Sequence, residues 1–259
     1  MTNCASTSRA WALRSRRAQA FAQPKLENEM PNIGLLNEKP LHAALKTWYA
    51  QPGDQFEVAV NGFVIDLVHD GVLVEIQTRS FTPIKRKLLA LTREYRIRLL
   101  YPIAQEKWIA KPAEHGNDAV TRRKSPKRGR VEDLFWEMVS FPQLLTHPNF
   151  ALEVLLIKEE ELRRYDGKRG WRKKGWVVAE RRLLEVVERR LFAQPKDWLA
   201  FLPQQTAEPF TTKDLAEANS IRRPLAQKMA YCLCQAQLIR LLGKRGRSNL
   251  YERYGDMKA

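Results

Sequence analysis

The stretch FEVAVNGFVIDLVHDGVLVEIQTRSF, Phe56 to Phe81, decides how the first half of this chain folds. Its apolar run is interrupted by Asn61-Gly62 and Asp70-Gly71, dipeptides that tolerate the positive φ of a two-residue hairpin turn. If both are such turns, pairing follows by counting. Val60 faces Phe63 across the first turn, which sets Glu57 opposite Asp66; His69 faces Val72 across the second, which sets Asp66 opposite Glu75. The expected unit is a three-stranded antiparallel meander carrying a row of three carboxylates. Gln77, two residues beyond Glu75, shares their face. Phe63, Ile65, Leu67, Val72, Val74 and Ile76 fall on the reverse face, so burial should fix the register.

Like charges opposite one another on adjacent strands destabilise a sheet, with Cβ atoms only about 5 Å apart. A hard divalent cation offsets that repulsion. Mg²⁺ needs one or two carboxylates and keeps its remaining positions for water and phosphate oxygens. On a chain with net charge +16 and pI near 10.0, metal-assisted phosphodiester hydrolysis on nucleic acid is the expectation.

Downstream, Thr82-Pro83 marks a helix start, and Leu88, Leu89 and Leu91 can face a sheet. RIRLLYPIA, Arg96 to Ala104, reads as the next strand. Strand, helix and strand form a crossover unit, which lays this strand parallel to the one holding Glu75.

Acidic Asp66, then Glu75-Ile76-Gln77, then a helix and a strand, resembles the core of the PD-(D/E)xK, or restriction-endonuclease-like, nuclease superfamily. The resemblance implies an α/β fold: a mixed sheet with flanking helices, followed here by a helical region and a winged helix domain. It implies that Asp66 and Glu75 hold Mg²⁺ or Mn²⁺ and that Gln77 takes the position where the family carries a lysine. Glu57 is the candidate for the upstream acid, with Glu38 as the alternative. Lys85, Arg86 or Lys87 could supply the missing cation.

Toward the C terminus, Thr211 and Asp214 have capping-box spacing before a short helix through Ala218, and a second helix starts at Pro224 with Leu225, Met229, Leu233 and Ala236 on one stripe. Leu238 to Leu242 and Asn249 to Tyr254 read as strands joined by GKRGRS. This order resembles a winged helix-turn-helix domain, with QPKDWLAFL as its preceding helix. The resemblance implies that Arg222, Arg223, Lys244, Arg245 and Arg247 grip DNA, duplex or branched.

The expected organisation is a basic disordered tail over 1–35, a nuclease-like core over 36–192 with a basic loop at 111–130, and the winged helix over 193–259. Ala179 to Phe192 reads as an amphipathic helix, and Trp171 and Trp176 are candidate stacking platforms beside Arg172, Lys173 and Lys174. Six Lys or Arg crowd residues 122–130, which suits either a solvated loop or a phosphate-contacting arm.

Several classes are set aside. No apolar run reaches the eighteen or so residues of a membrane span. Cys4, Cys232 and Cys234 offer no disulfide framework and point inside the cell, to a cytoplasmic setting that DNA binding would make nucleoid-associated, while the basic, acid-free residues 1–26 also resemble an organellar transit peptide. The four histidines lack zinc spacing. The alternative to a nuclease is a non-catalytic winged-helix regulator whose α/β core is a scaffold or dimerisation surface, a homodimer in that case; an RNA-acting protein is a third reading.

Overall fold

The computed structural model describes residues 39–112, 120–167, 175–202 and 208–254. Residues 1–38, with Glu38 and the basic tail, and Trp171 to Lys174 lie outside them.

The meander forms as counted. β1 (Gln55–Val60), β2 (Phe63–His69) and β3 (Val72–Ile76) are antiparallel, with Val60 opposite Phe63 and His69 opposite Val72. Asn61, Gly62, Asp70 and Gly71 all take positive φ, between 47° and 75°, the geometry whose twist matches that of the flanking strands. After a 3₁₀ turn at Thr82–Ile84, helix α2 (Lys85–Leu91) returns the chain to β4 (Ile97–Lys111), which runs parallel to β3 with Glu75 level with Leu99. β5 (Thr121–Lys124) pairs antiparallel with the far half of β4, β6 (Phe150–Tyr165) is parallel to β4, and β7 (Trp176–Phe192) returns antiparallel to β6. The mixed sheet runs β1-β2-β3-β4-β6-β7, with β5 on β4.

Helices flank this sheet. Helix α1 (Pro40–Tyr49) sets Leu41, Leu45 and Tyr49 on Leu67, Val74, Ile76, Leu100 and Leu155. A second apolar cluster takes Leu73, Leu99 and Leu152 together with Leu88 and Leu91 of α2 and Phe135 and Met138 of α3 (Phe135–Met138). Burying a leucine of this kind contributes roughly 1.5–3 kcal/mol, so both layers hold the sheet. Beneath α1, Glu153 (1% exposed) accepts from Arg189 Nε at 2.6 Å and faces Arg98, which donates to Tyr49 Oη at 2.7 Å.

Two expectations need correction. Ala179 to Phe192 is strand, not helix: it lies within β7, whose pairing with β6 slips register at Leu156/Ile157, Lys158/Glu159 and Leu162/Arg163. Each slip inserts a residue, so the inward-facing Leu183, Val186 and Leu191 lose the two-residue period and imitate helical spacing. The meander also has no single apolar face. Ile65 joins the cluster under α2, whereas Leu67, Val72, Val74 and Ile76 join the one under α1. The alternation breaks where Glu57, level with Asp66, takes a left-handed φ of 52°.

Beyond β7, α4 (Pro195–Leu199) precedes a small sheet ordered β8-β10-β9, of β8 (Phe210–Thr211), β9 (Ile239–Arg245) and β10 (Ser248–Arg253). Helices α5 (Thr212–Ala218) and α6 (Arg223–Gln235) separate β8 from β9. Thr211 Oγ1 accepts from the backbone N–H groups of Lys213 and Asp214 while Asp214 accepts from Thr211 N at 2.7 Å, the reciprocal cap expected from the spacing. Leu225, Met229 and Leu233 of α6 belong to the same buried cluster as Phe135, Trp198 and Phe201.

Candidate active site

The β2–β3 ladder stops at Leu67 opposite Val74, and the site opens where the strands part. Ile76 N–H has no strand partner on β2 there, and Asp66 Oδ2 accepts it at 2.7 Å. The same oxygen lies 3.3 Å from His42 Nε2, on the first turn of α1. Glu75, 7% exposed, is ion-paired with Lys87 of α2, whose ammonium also donates to the Val64 carbonyl at 2.5 Å. Three elements thus converge on two carboxylates: a strand pair, the helix before it and the helix after it.

Their protonation states differ. Burial opposes ionisation of Asp66, but the His42 contact, the Ile76 N–H and the Lys87 charge outweigh it and hold the carboxyl below its usual range. Burial and the neighbouring Asp66 charge act together on Glu75; Lys87 and His42 counter them only in part, and its pKa is pushed up to about 7. The arrangement provides one firmly anionic oxygen donor beside one that exchanges its proton near neutrality.

Gln77 is anchored by its backbone N–H on Leu100 O at 3.0 Å and by Nε2, which donates to Ser80 O at 2.9 Å, leaving Oε1 as an acceptor. Glu57, opposite Asp66 in the count, instead engages Lys46 one helical turn beyond His42. The row of three is therefore a pair, Asp66 and Glu75, and a third carboxylate held on α1. No group of three or more His, Cys, Asp or Glu among the described residues is arranged to hold a metal ion. Two carboxylates in mutual electrostatic contact nevertheless fit Mg²⁺, which takes its remaining ligands from water and substrate.

Sequence reasoning passed over His42 because it sought zinc spacing. The usable signal was the four-residue interval between His42 and Lys46, which puts both on one helix face. Lys87 was one of three candidate cations, and it is the one that reaches the site.

Of the expected DNA-gripping residues, Arg222, Lys244 and Arg247 are exposed and have no ion pair among the described residues. Arg223 donates to Ser248 Oγ at 3.2 Å, and Arg245 pairs with Asp214 at 2.9 Å. Trp176 is buried against Tyr165, with Lys111 Nζ 4.2 Å from its ring centre, so it braces the β6–β7 hairpin.

The meander, α1, the crossover and the β6–β7 hairpin coincide with residues 39–193, which match the family described as Domain of unknown function (DUF8091). The chain belongs to the DUF8091 family. A relative from Treponema pallidum (strain Nichols), described as an uncharacterized protein, is 29% identical over 228 residues, covering 85% of this chain and 87% of its own. No solved structure matches. The DUF8091 region contains the whole carboxylate site and ends at the start of the C-terminal unit. Among the described residues no helix is long and apolar enough to cross a membrane.

Proposed function

We propose that this DUF8091 protein is a DNA-binding, divalent-metal-dependent phosphodiesterase of the PD-(D/E)xK kind. The observation that carries the reading is the parting of β2 and β3 around Asp66 and Glu75, which concentrates one half-buried and one buried carboxylate and the Lys87 ammonium at one point. Bringing two carboxylates together away from water costs the fold stability that Lys87, His42 and the Ile76 N–H offset only in part, as the raised pKa of Glu75 records.

In this reading Asp66 and Glu75 are the oxygen donors for Mg²⁺ or Mn²⁺, with Glu57 outside the first contact. The bound cation would polarise the phosphodiester and acidify a water. Asp66 supplies a fixed negative charge, held in orientation by Ile76 N–H and His42. Gln77 Oε1 accepts a hydrogen bond from the attacking water. Lys87 places positive charge beside Glu75, the service the family obtains from a lysine at the Gln77 position. Hydrolysis adds water across one P–O bond, and the proton lost by the water leaves on the departing alcohol.

The C-terminal unit is read as a winged helix, supported by the order α4-β8-α5-α6-β9-β10 and by the β8-β10-β9 sheet. Arg222 and Arg223 at the start of α6 and Lys244, Arg245 and Arg247 on the hairpin would contact DNA phosphates.

One observation favours the non-catalytic regulator: Lys87 already neutralises part of the carboxylate repulsion without any metal. Cleavage of supercoiled and branched DNA with Mg²⁺ or Mn²⁺ separates the readings. Cutting that disappears in Glu75→Ala at matched DNA binding supports the nuclease; salt-sensitive binding with no cutting by either protein leaves the regulator.

A further inference from the structure

The basic segment 121–130 is built into the sheet as far as Gly129. Strand β4 has two edges. β6 occupies one along its length, and the other is shared by β3, from Ile97 to Leu100, and by β5, from Trp108 to Lys111. Part of the interval between them is taken up by the residues after β5, which continue along the same edge: Ser125 N donates to Lys107 O at 2.7 Å, and Gly129 N to Ala104 O at 2.8 Å. Gly129 sits so close to β4 that a Cβ would stand 2.6 Å from Ile103 Cγ2 and 2.7 Å from Ala104 O. The segment is thereby pressed against the strand and brought to within four residues of Leu100, about 13 Å along β4. Leu100 O receives the Gln77 N–H, so that interval leads directly to the carboxylate site.

The other end of the segment is tied as well. Arg130 donates from Nη1 to Ser220 O and from Nη2 to Asn219 O, both at 2.8 Å, in the turn before Arg222 and Arg223. The backbone of the arm thus runs along the β4 edge as far as Ala104, and the Arg130 side chain ties its end to the turn before α6.

The charges along it are sorted. Arg122 and Lys124 pair with Glu160 and Glu106 at 2.6 and 2.7 Å and flank the Trp108 ring. Arg123 and Lys127 are exposed and have no ion pair among the described residues, and Arg128 is exposed beside them. A line of exposed cations along the β4 edge, Arg123, Lys127 and Arg128 among them, suits a partner of uniform, repeating negative charge. The adjoining carboxylates ask in addition that the partner contain a phosphodiester.

We propose that residues 121–130 form a rail that follows the phosphate backbone of duplex DNA along the β4 edge, from the β4–β5 arm to the turn before α6, on the side of β4 that leads toward Asp66 and Glu75. The choice of DNA rests on the reading given above, whereas the rail can be tested without cleavage.

The test is the salt dependence of binding, by fluorescence anisotropy of a 30-base-pair DNA duplex with the full chain in EDTA. The triple variant Arg123→Gln, Lys127→Gln, Arg128→Gln is compared with the wild type and with Arg222→Gln, Arg223→Gln. Each phosphate contact contributes about 0.9 to the slope of log K against log salt, so the triple variant is expected to lose roughly 2 to 3 of that slope and at least tenfold in affinity at moderate salt. The control Arg123→Lys, Arg128→Lys should keep the wild-type slope. An unchanged slope and affinity in a folded triple variant overturns the rail. So does an effect confined to duplex RNA or to anionic vesicles. If the slope falls but Mg²⁺ elicits no cleavage, the rail stands and the nuclease reading fails; cleavage by a triple variant of unaltered slope is the reverse.

Discussion

The ammonium of Lys87 is shared between the carboxylate of Glu75 and the backbone carbonyl of Val64, so helix α2 clamps β3 to β2 at the point where their ladder ends. The contact gives one side chain a structural and an electrostatic task. If the site cleaves DNA as proposed, Lys87→Met should lower that cleavage by about 100-fold or more, the scale seen when an oriented charge is removed from a reacting centre. Lys87→Arg should recover part of the rate. Single-turnover cleavage at saturating protein measures both, with melting temperatures reporting any loss of the clamp.

Glu75 predicts a pH effect on the metal-free protein. Its folded pKa, about 7, lies above the unfolded value of 4.5, so the folded state binds the proton more tightly. The contribution of this group to stability is complete below pH 4.5 and is lost as pH rises through 7. In EDTA, Glu75→Gln should flatten the decline in melting temperature between those limits. If the site binds Mg²⁺, the ion should raise the wild-type melting temperature more at pH 8 than at pH 6 and leave Glu75→Gln unmoved.

Beneath α1, Glu153 is buried between Arg98, Arg189 and Tyr49. Replacing it with Ala removes the buried carboxylate that faces Arg98 and accepts from Arg189, and should cost about 3–5 kcal/mol, readable by urea denaturation. If the chain binds DNA as proposed, affinity at temperatures where the variant remains folded should be unaffected, since none of these groups belongs to the cations of 121–130, of α6 or of the C-terminal hairpin.

Gly129→Ala tests the close approach of the basic segment to β4. A methyl group would meet Ile103 and the Ala104 carbonyl well inside contact distance. The segment must move outward and weaken its hydrogen bond to Ala104, with an expected loss of about 1–3 kcal/mol in chemical denaturation. Backbone strain plays no part, because the penalty here is purely one of space.

What could be read from the sequence was local. Asn61-Gly62 and Asp70-Gly71 set the meander register, Thr82-Pro83 marked the crossover, and Thr211 with Asp214 capped α5, because each acts through its own turn. What could not be read depends on packing between distant segments. His42 reaches Asp66 only because α1 lies over the sheet, and the left-handed conformation of Glu57 has no turn residue to announce it. β7 was misread because register is a property of the pair β6 and β7, while periodicity is sought in one strand alone.

Those register slips have a further consequence. β7 is a seventeen-residue strand at the outer border of the sheet, and it exposes Leu184 and Val187. A straight border of that length would offer a template for strand-by-strand aggregation. With its free N–H and C=O groups thrown out of even spacing at three places, an incoming strand finds only short runs to join. The irregularity that disguised β7 as a helix is also what lets so long a border face solvent without recruiting its neighbours.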